Sequence, residues 1–199
     1  MRLAILLSGR GSNFAAIHQA IVQRELNAEI VCVISNQPDA PGLARARELG
    51  LPAHLINHRD YATRAAHEEE VMRIVAEAEP DFICLAGYMR LLTPVFIAAW
   101  RHRILNIHPS LLPAFPGVDA QAQALAYGVK VSGCTVHFVD ENLDAGPIIV
   151  QRTVPVRDDD AVDTLAARIL EQEHIAYVEA LVALATRPWK IDGRRVVFG

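Results

Sequence analysis

Short apolar runs of strand length alternate with stretches of helical spacing, and this alternation restricts the fold more than any other property of the chain. The runs are Arg2–Leu7 (RLAILL), Glu29–Ser35 (EIVCVIS), Ala53–Ile56 (AHLI), Asp81–Ala86 (DFICLA) and Arg103–Ile107 (RILNI). Between them the helical period is present over 13–24, near 42–49 and over 63–79, and a further helix starts after Thr93. Parallel neighbours in a sheet need a crossover, usually a helix. The pattern therefore predicts an α/β chain whose mainly parallel, twisted sheet is flanked by helices.

The second half changes character. Val131–Asp140 (VSGCTVHFVD) and Gly146–Val156 (GPIIVQRTVPV) are β-rich and separated only by a turn-like segment, so they read as an antiparallel pair added to the parallel sheet. Residues 158–185 carry one long helical pattern that opens on acidic residues, which suit the positive end of a helix dipole. From Arg187 a short tail, ending GRRVVFG, reads as a hairpin. No repeat, low-complexity tract or linker breaks the pattern. Residues 1–199 are expected to form one domain with a Rossmann-like sheet.

With 52% hydrophobic residues the chain can build a sizeable core, and a formal net charge of −4 argues against general nucleic-acid binding. It leaves room for one phosphate held locally. The opening MRLAILLSG has too short an apolar run for a signal peptide. Phe82–Trp100 approaches transmembrane length, but Gly87, Arg90 and Pro94 interrupt it, and a charge in mid-span is costly in lipid. No membrane attachment and a cytoplasmic address are expected. Cys32, Cys84 and Cys134 lack any paired spacing for metal or redox work, and the first two lie in apolar runs as small buried residues.

Ligands of open α/β sheets bind beyond the carboxyl ends of the strands, and the unusual residues of this chain fall there. In LLSGRGSN (Leu6–Asn13) a strand runs into small residues and then directly into a helix, a context that favours a phosphate or carboxylate. Phe14 stands where a dinucleotide fingerprint has its third glycine, and the Lys-Ser/Thr pair of a nucleoside triphosphate loop is missing. In LNIHPSLLPAFPG (Leu105–Gly117), Asn106 and His108 are two apart on a strand and so share a face where it ends. An amide beside an imidazole can stabilise charge developing on a carbonyl oxygen, and Pro109, Pro113 and Pro116 would stiffen the loop that carries them. In ENLDAGP (Glu141–Pro147) Asp144 sits in a turn. Such an Asp usually bonds its own backbone, but near His108 it would favour the imidazolium and orient the ring. His137 faces either core or cleft. No His-x-x-x-His pair suggests a metal site, and no Gly-x-Ser-x-Gly elbow suggests a serine hydrolase.

Taken in order, LLSGRGSN, AGYMRLL, LNIHPSLLPAFPG, TVHFV, LDAGPII and EQEH closely resemble the phosphoribosylglycinamide formyltransferases, a folate-dependent family of purine synthesis, over almost the whole chain. The resemblance implies formyl transfer from 10-formyltetrahydrofolate, as co-substrate, to the glycyl amine of glycinamide ribonucleotide. It places the catalytic trio on Asn106, His108 and Asp144 and the substrate phosphate on Gly11, Ser12 and Asn13. Glu173 would contact the glycinamide substrate. Arg64, Met89, Arg90, Leu91 and Leu92, with Val139 and Asp140, would contact the folate. Residues 1–100 would be the ribonucleotide half and 101–199 the catalytic and folate half. The implied partners are small molecules alone, with no metal, nucleic acid or membrane, in a monomer or homodimer. Arg10 stands where Asn is common, and Val118, Asp119, Ala120 and Gln121 follow Gly117 where many members carry a histidine.

The implied mechanism is direct attack by the uncharged amine, with Asn106 and protonated His108 donating to the formyl oxygen and Asp144 assisting removal of the amine proton. Competing readings are another folate-dependent formyltransferase, a formyltetrahydrofolate hydrolase, or a phosphate-metabolite or folate sensor without catalysis. Methionyl-tRNA formyltransferases usually add a C-terminal RNA-binding domain and the hydrolases an N-terminal regulatory one, and the pattern here matches neither addition.

Overall fold

The computed structural model describes all residues, Met1–Gly199. The chain divides into two compact units, Met1–Leu105 and Asn106–Gly199. In the first, β1 (Arg2–Leu7), β2 (Glu29–Ser35), β3 (Ala53–Leu55) and β4 (Phe82–Leu85) lie in the order β3-β2-β1-β4, with β1 parallel to β2 and β4, and β2 parallel to β3. The crossovers are α1 (Ser12–Val22), α2 (Pro41–Glu48) and α3 (Arg64–Ala78), and α4 (Pro94–Ala99) leads into β5 (Ile104–His108). Leu3 to Leu7 of β1 are without exposure, as a parallel strand covered on both faces requires. The expected strands and helices of this half all form; the short 3-10 turn His58–Asp60 was not foreseen.

Local chemistry sets the helix starts. Thr63 and Thr93 each turn a side-chain oxygen onto a free amide of the first turn, of Ala66 at 3.1 Å and of Phe96 at 3.3 Å. Pro41 and Pro94 open α2 and α4, where a missing N–H costs nothing. The loop before α1 is seated directly on the start of α2. Gly11 holds φ +69°, the Gly42 amide donates to the Gly9 carbonyl at 3.1 Å, and a Cβ on Gly11 would lie 2.9 Å from the Gly42 Cα. Only glycines allow that approach.

In the second unit β5 is followed by β6 (Val131–Phe138), β7 (Ile148–Pro155), β8 (Trp189–Asp192) and β9 (Arg195–Phe198), in the order β5-β6-β7-β9-β8. β6 and β7 are antiparallel, from Val131 opposite Pro155 to His137 opposite Ile148, with an irregularity between Val136 and His137. β8 and β9 form the expected hairpin, and β9 meets β7 in parallel at Ile148 and Arg195. α5 (Ala120–Tyr127) was not foreseen. α6 (Val162–Thr186) buries the stripe Leu165, Ile169, Glu173, Ala176, Tyr177, Ala180, Leu181 and Leu184. Asp160 anchors its start by accepting from both terminal nitrogens of Arg168 at 2.8 Å. All three cysteines are free and buried, and no helix is long and apolar enough to cross a membrane.

Three imidazoles, His67, His137 and His174, are held below the ordinary value of 6.5, in each case chiefly by burial, which disfavours the charged ring. His67 and His137 each donate to a main-chain carbonyl at 2.9 Å, of Ile56 and Phe138 respectively. As pH falls below 6.5 the unfolded chain takes up protons while these folded rings stay neutral. Their contribution to stability is therefore complete above that value and is lost as pH falls toward the depressed folded values. A thermal melting midpoint followed downward from neutral pH should drop across this window; a flat midpoint would contradict the buried neutral rings.

Candidate active site

The site residues of the second unit begin where β5 ends. Asn106 and His108 project from one face of the strand, and the chain then enters the proline-rich loop. β6 and β7 pin this loop. The Thr135 hydroxyl donates to the Ser110 carbonyl at 2.7 Å and accepts from the Leu112 amide at 3.0 Å. Gln151 Nε2 donates to the Leu112 carbonyl at 2.9 Å. The Leu112–Pro113 peptide is cis.

His108 Nε2 donates to the Phe115 carbonyl at 2.9 Å, while Nδ1 lies 3.4 Å from Asp144 Oδ2. Their side chains are 5% and 9% exposed. Carbonyl and carboxylate can only accept, so each ring nitrogen faces an acceptor. Asp144 is itself in the left-handed region at φ +49°, and its Oδ2 accepts the Gly117 amide at 2.8 Å. Oδ1 makes no hydrogen bond; His137 Nε2 is 3.9 Å away. Asp144 thus does not close on its own turn. Asp140 does, with Oδ1 accepting from the Asn142 amide at 2.9 Å.

His137 completes the group. Its Nδ1 hydrogen is committed to the Phe138 carbonyl, and burial keeps the ring neutral, so Nε2 is a bare acceptor for Asn106 Nδ2 at 3.3 Å. That contact orients the Asn106 amide and leaves its second N–H uncommitted. Asn106, His108 and Asp144 are therefore brought together, with His137 between Asn106 and Asp144. The sequence reading left His137 open; the alternation that puts Thr135 and His137 on one face of β6 was the available signal.

The other candidates are distributed over both units. Gly11 caps α1, Ser12 is its first residue, and Asn13 is buried in its first turn. Arg64 is the exposed first residue of α3. Met89, Arg90, Leu91 and Leu92 lie in the irregular segment between β4 and α4, where Met89 is 81% and Leu91 62% exposed. In the second unit Val139 and Asp140 follow β6 directly, half-buried. Glu173 is buried on the α6 stripe, and its charge is felt at Cys134, whose thiol is pushed up to about 12, mainly by burial. Sequence reasoning weighed Ser8 only within the LLSGRGSN loop and as a serine without a nucleophile elbow, and passed over Glu68; Ser8 contacts Met89, and Glu68 contacts Thr93, just beyond Leu92.

Comparison with known proteins then places the chain. The formyl transferase family model matches residues 1–181. The chain is 49% identical over 185 residues to the trifunctional purine biosynthetic protein adenosine-3 of Drosophila melanogaster, covering 92% of this chain and 14% of that protein. It thus spans about a seventh of the length of that trifunctional relative. Phosphoribosylglycinamide formyltransferase of Escherichia coli K12 is 40% identical over 194 residues, 98% of this chain and 89% of that protein. Among solved structures, glycinamide ribonucleotide transformylase 1 of Symbiobacterium toebii superposes with a TM-score of 0.96 at 45% identity, covering 100% of this chain and 93% of that one. A formyltetrahydrofolate deformylase of Pseudomonas syringae superposes with a TM-score of 0.91 at 30% identity, covering 99% of this chain and 65% of that one. With its sheet order, its strand-end polar group and a family match over most of its length, the chain belongs to the formyl transferase family, among the phosphoribosylglycinamide formyltransferases.

Proposed function

We propose that the protein transfers the formyl group of 10-formyltetrahydrofolate to the glycyl amine of glycinamide ribonucleotide, giving the formylated ribonucleotide and tetrahydrofolate, with Asn106, His108 and Asp144 in the catalytic roles. The observation that carries this reading is the paired geometry at the end of β5. An oriented amide donor and an imidazole stand beside a carboxylate that keeps one oxygen free. The match over 98% of this chain and 89% of the bacterial formyltransferase supports the substrate pair.

The uncharged amine attacks the formyl carbon, and the carbonyl electron pair moves onto oxygen. The second N–H of Asn106 and the Nδ1–H of His108 donate to that oxygen; the latter is the looser of the two His108 contacts, at 3.4 Å. Oδ1 of Asp144, directly or through a water, takes the proton lost by the attacking nitrogen. The tetrahedral intermediate then collapses: the oxygen electron pair re-forms the carbonyl, the bond to the folate nitrogen breaks, and that nitrogen leaves with the proton that Asp144 took up. Gly11, Ser12 and Asn13 hold the ribonucleotide phosphate at the start of α1, and Glu173 contacts the glycinamide. Arg64, Met89, Arg90, Leu91, Leu92, Val139 and Asp140 contact the folate. The chain works on small molecules, as a monomer or homodimer.

The test is turnover of the purified protein with both substrates, followed by folate absorbance. Asn106→Ala should lower kcat about 10²–10³-fold, the usual cost of one oxyanion donor. Asp144→Asn, which keeps the shape and removes the basic oxygen, should cost about 10²-fold or more. Near-normal turnover in either variant would refute the assigned role. Folate consumption without the ribonucleotide would instead indicate a hydrolase.

The turn that carries Asp144 supplies a further check. A Cβ on Gly146 would lie 1.8 Å from the Phe138 carbonyl oxygen, a main-chain atom that cannot step aside. Gly146→Ala should therefore displace the turn and depress kcat, although it touches no reacting group. A variant with full activity would show that the turn tolerates displacement.

A further inference from the structure

The segment between β4 and α4 presents large apolar side chains to solvent, yet polar contacts that the proposed mechanism does not use tie its two ends down. At the first end the Ser8 amide donates to the Gly87 carbonyl at 3.0 Å, and the Met89 amide donates to Ser8 Oγ at 2.8 Å. The Ser8 hydroxyl spends its hydrogen on Asn36 Oδ1 at 2.6 Å, and Asn36 is itself buried and held through its carbonyl by His58 Nδ1 at 2.9 Å. The hydroxyl is therefore fixed as an acceptor for Met89.

At the second end Glu68 receives the Thr93 amide on both oxygens, at 2.9 and 3.1 Å, and also the Thr93 hydroxyl. Glu68 is 3% exposed and lies on the inward stripe of α3 with His67, Val71 and Val75. An apolar side chain would fill that position without the cost of burying a charge. The three contacts to Thr93 offset that cost, and they fix the residue at which the segment gives way to α4. Between the clamps, the main-chain groups of Arg90, Leu91 and Leu92 form no hydrogen bond with the protein. The segment is open in its middle and fastened at both ends.

We propose that Ser8 and Glu68 are positioning residues that hold the Met89–Leu92 segment in its folate-binding conformation. This rests on the reading that Met89–Leu92 contacts the folate. Fastened ends remove in advance the ordering cost that a loose segment would incur when ligand arrives, so the clamps act on affinity for the folate and not on the chemical step. A purely structural role for the same contacts would lower stability and disturb both substrates together.

The experiment is steady-state kinetics of Glu68→Gln and Ser8→Ala with each substrate varied in turn, beside Leu91→Ala as a direct probe of the segment. Glu68→Gln presents an amide N–H2 to a donor, and Ser8→Ala removes the acceptor of the Met89 amide. Each should raise the KM for 10-formyltetrahydrofolate about tenfold, with kcat and the KM for glycinamide ribonucleotide little changed. Unchanged folate KM in both variants overturns the proposal, as does a common rise in both KM values with a fall in kcat. If Leu91→Ala raises the folate KM while the clamp variants do not, the segment binds folate but is not held by Ser8 and Glu68. If all three leave it unchanged, the reading that places folate there fails as well. A selective rise in the clamp variants sustains the proposal whichever way Leu91→Ala behaves. Should Glu68→Gln not fold, Ser8→Ala carries the same test from the other end.

Discussion

A hydrogen bond from the Gly117 amide to Oδ2 of Asp144 joins two irregular segments directly. One is the proline-rich loop after β5; the other is the turn between β6 and β7. The bond decides what each Asp144 oxygen can do. Oδ2 is occupied by a main-chain donor and faces His108, and Oδ1 is left without a hydrogen bond. It also sustains a left-handed residue that is not glycine, a conformation that persists when the surroundings over-determine it.

Main-chain groups play the same part for three other buried polar side chains. His108 and His137 each give a hydrogen to a carbonyl, and Glu68 receives the Thr93 amide. Main-chain partners are held by the sheet and loops and do not swing away as long side chains do, so the titratable groups they engage have few alternative orientations. In a low-dielectric setting such contacts are strong when made and costly when lost. The result is a set of buried polar groups with definite donors and acceptors. Asn106 shows the benefit: its amide orientation follows from the neutral state of His137, which follows in turn from burial.

The parallel half was legible because strands buried on both faces must be apolar throughout and because parallel neighbours need helices between them. Asn106 and His108 were legible for an equally local reason, the two-residue period of a strand. Asp144 was not, since the bond that distinguishes it from an ordinary turn aspartate comes from a residue far away in the chain, while Asp140, its neighbour, does what turn aspartates usually do. α5 was missed because Pro116, Gly117 and Asp119 surround its start with turn residues and its pattern lasts only two turns. Glu68 was hidden by its neighbours: it opens the run Glu68, Glu69, Glu70, and only the phase of α3 against the sheet turns one of three identical letters inward.

The contact between Gly11 and Gly42 has a consequence for how such a chain can vary. Each glycine occupies the volume that a methyl on the other would need: a Cβ on Gly42 would lie 3.1 Å from the Gly11 Cα and 2.9 Å from a Leu7 methyl. Two positions far apart in the chain are thereby coupled without any bond or charge between them. A larger residue at either one meets the main chain of the other, so neither position can enlarge while the loop keeps its shape. The steric lock holds the loop at the head of α1 in one shape, while its exposed neighbour Arg10 is free of that constraint.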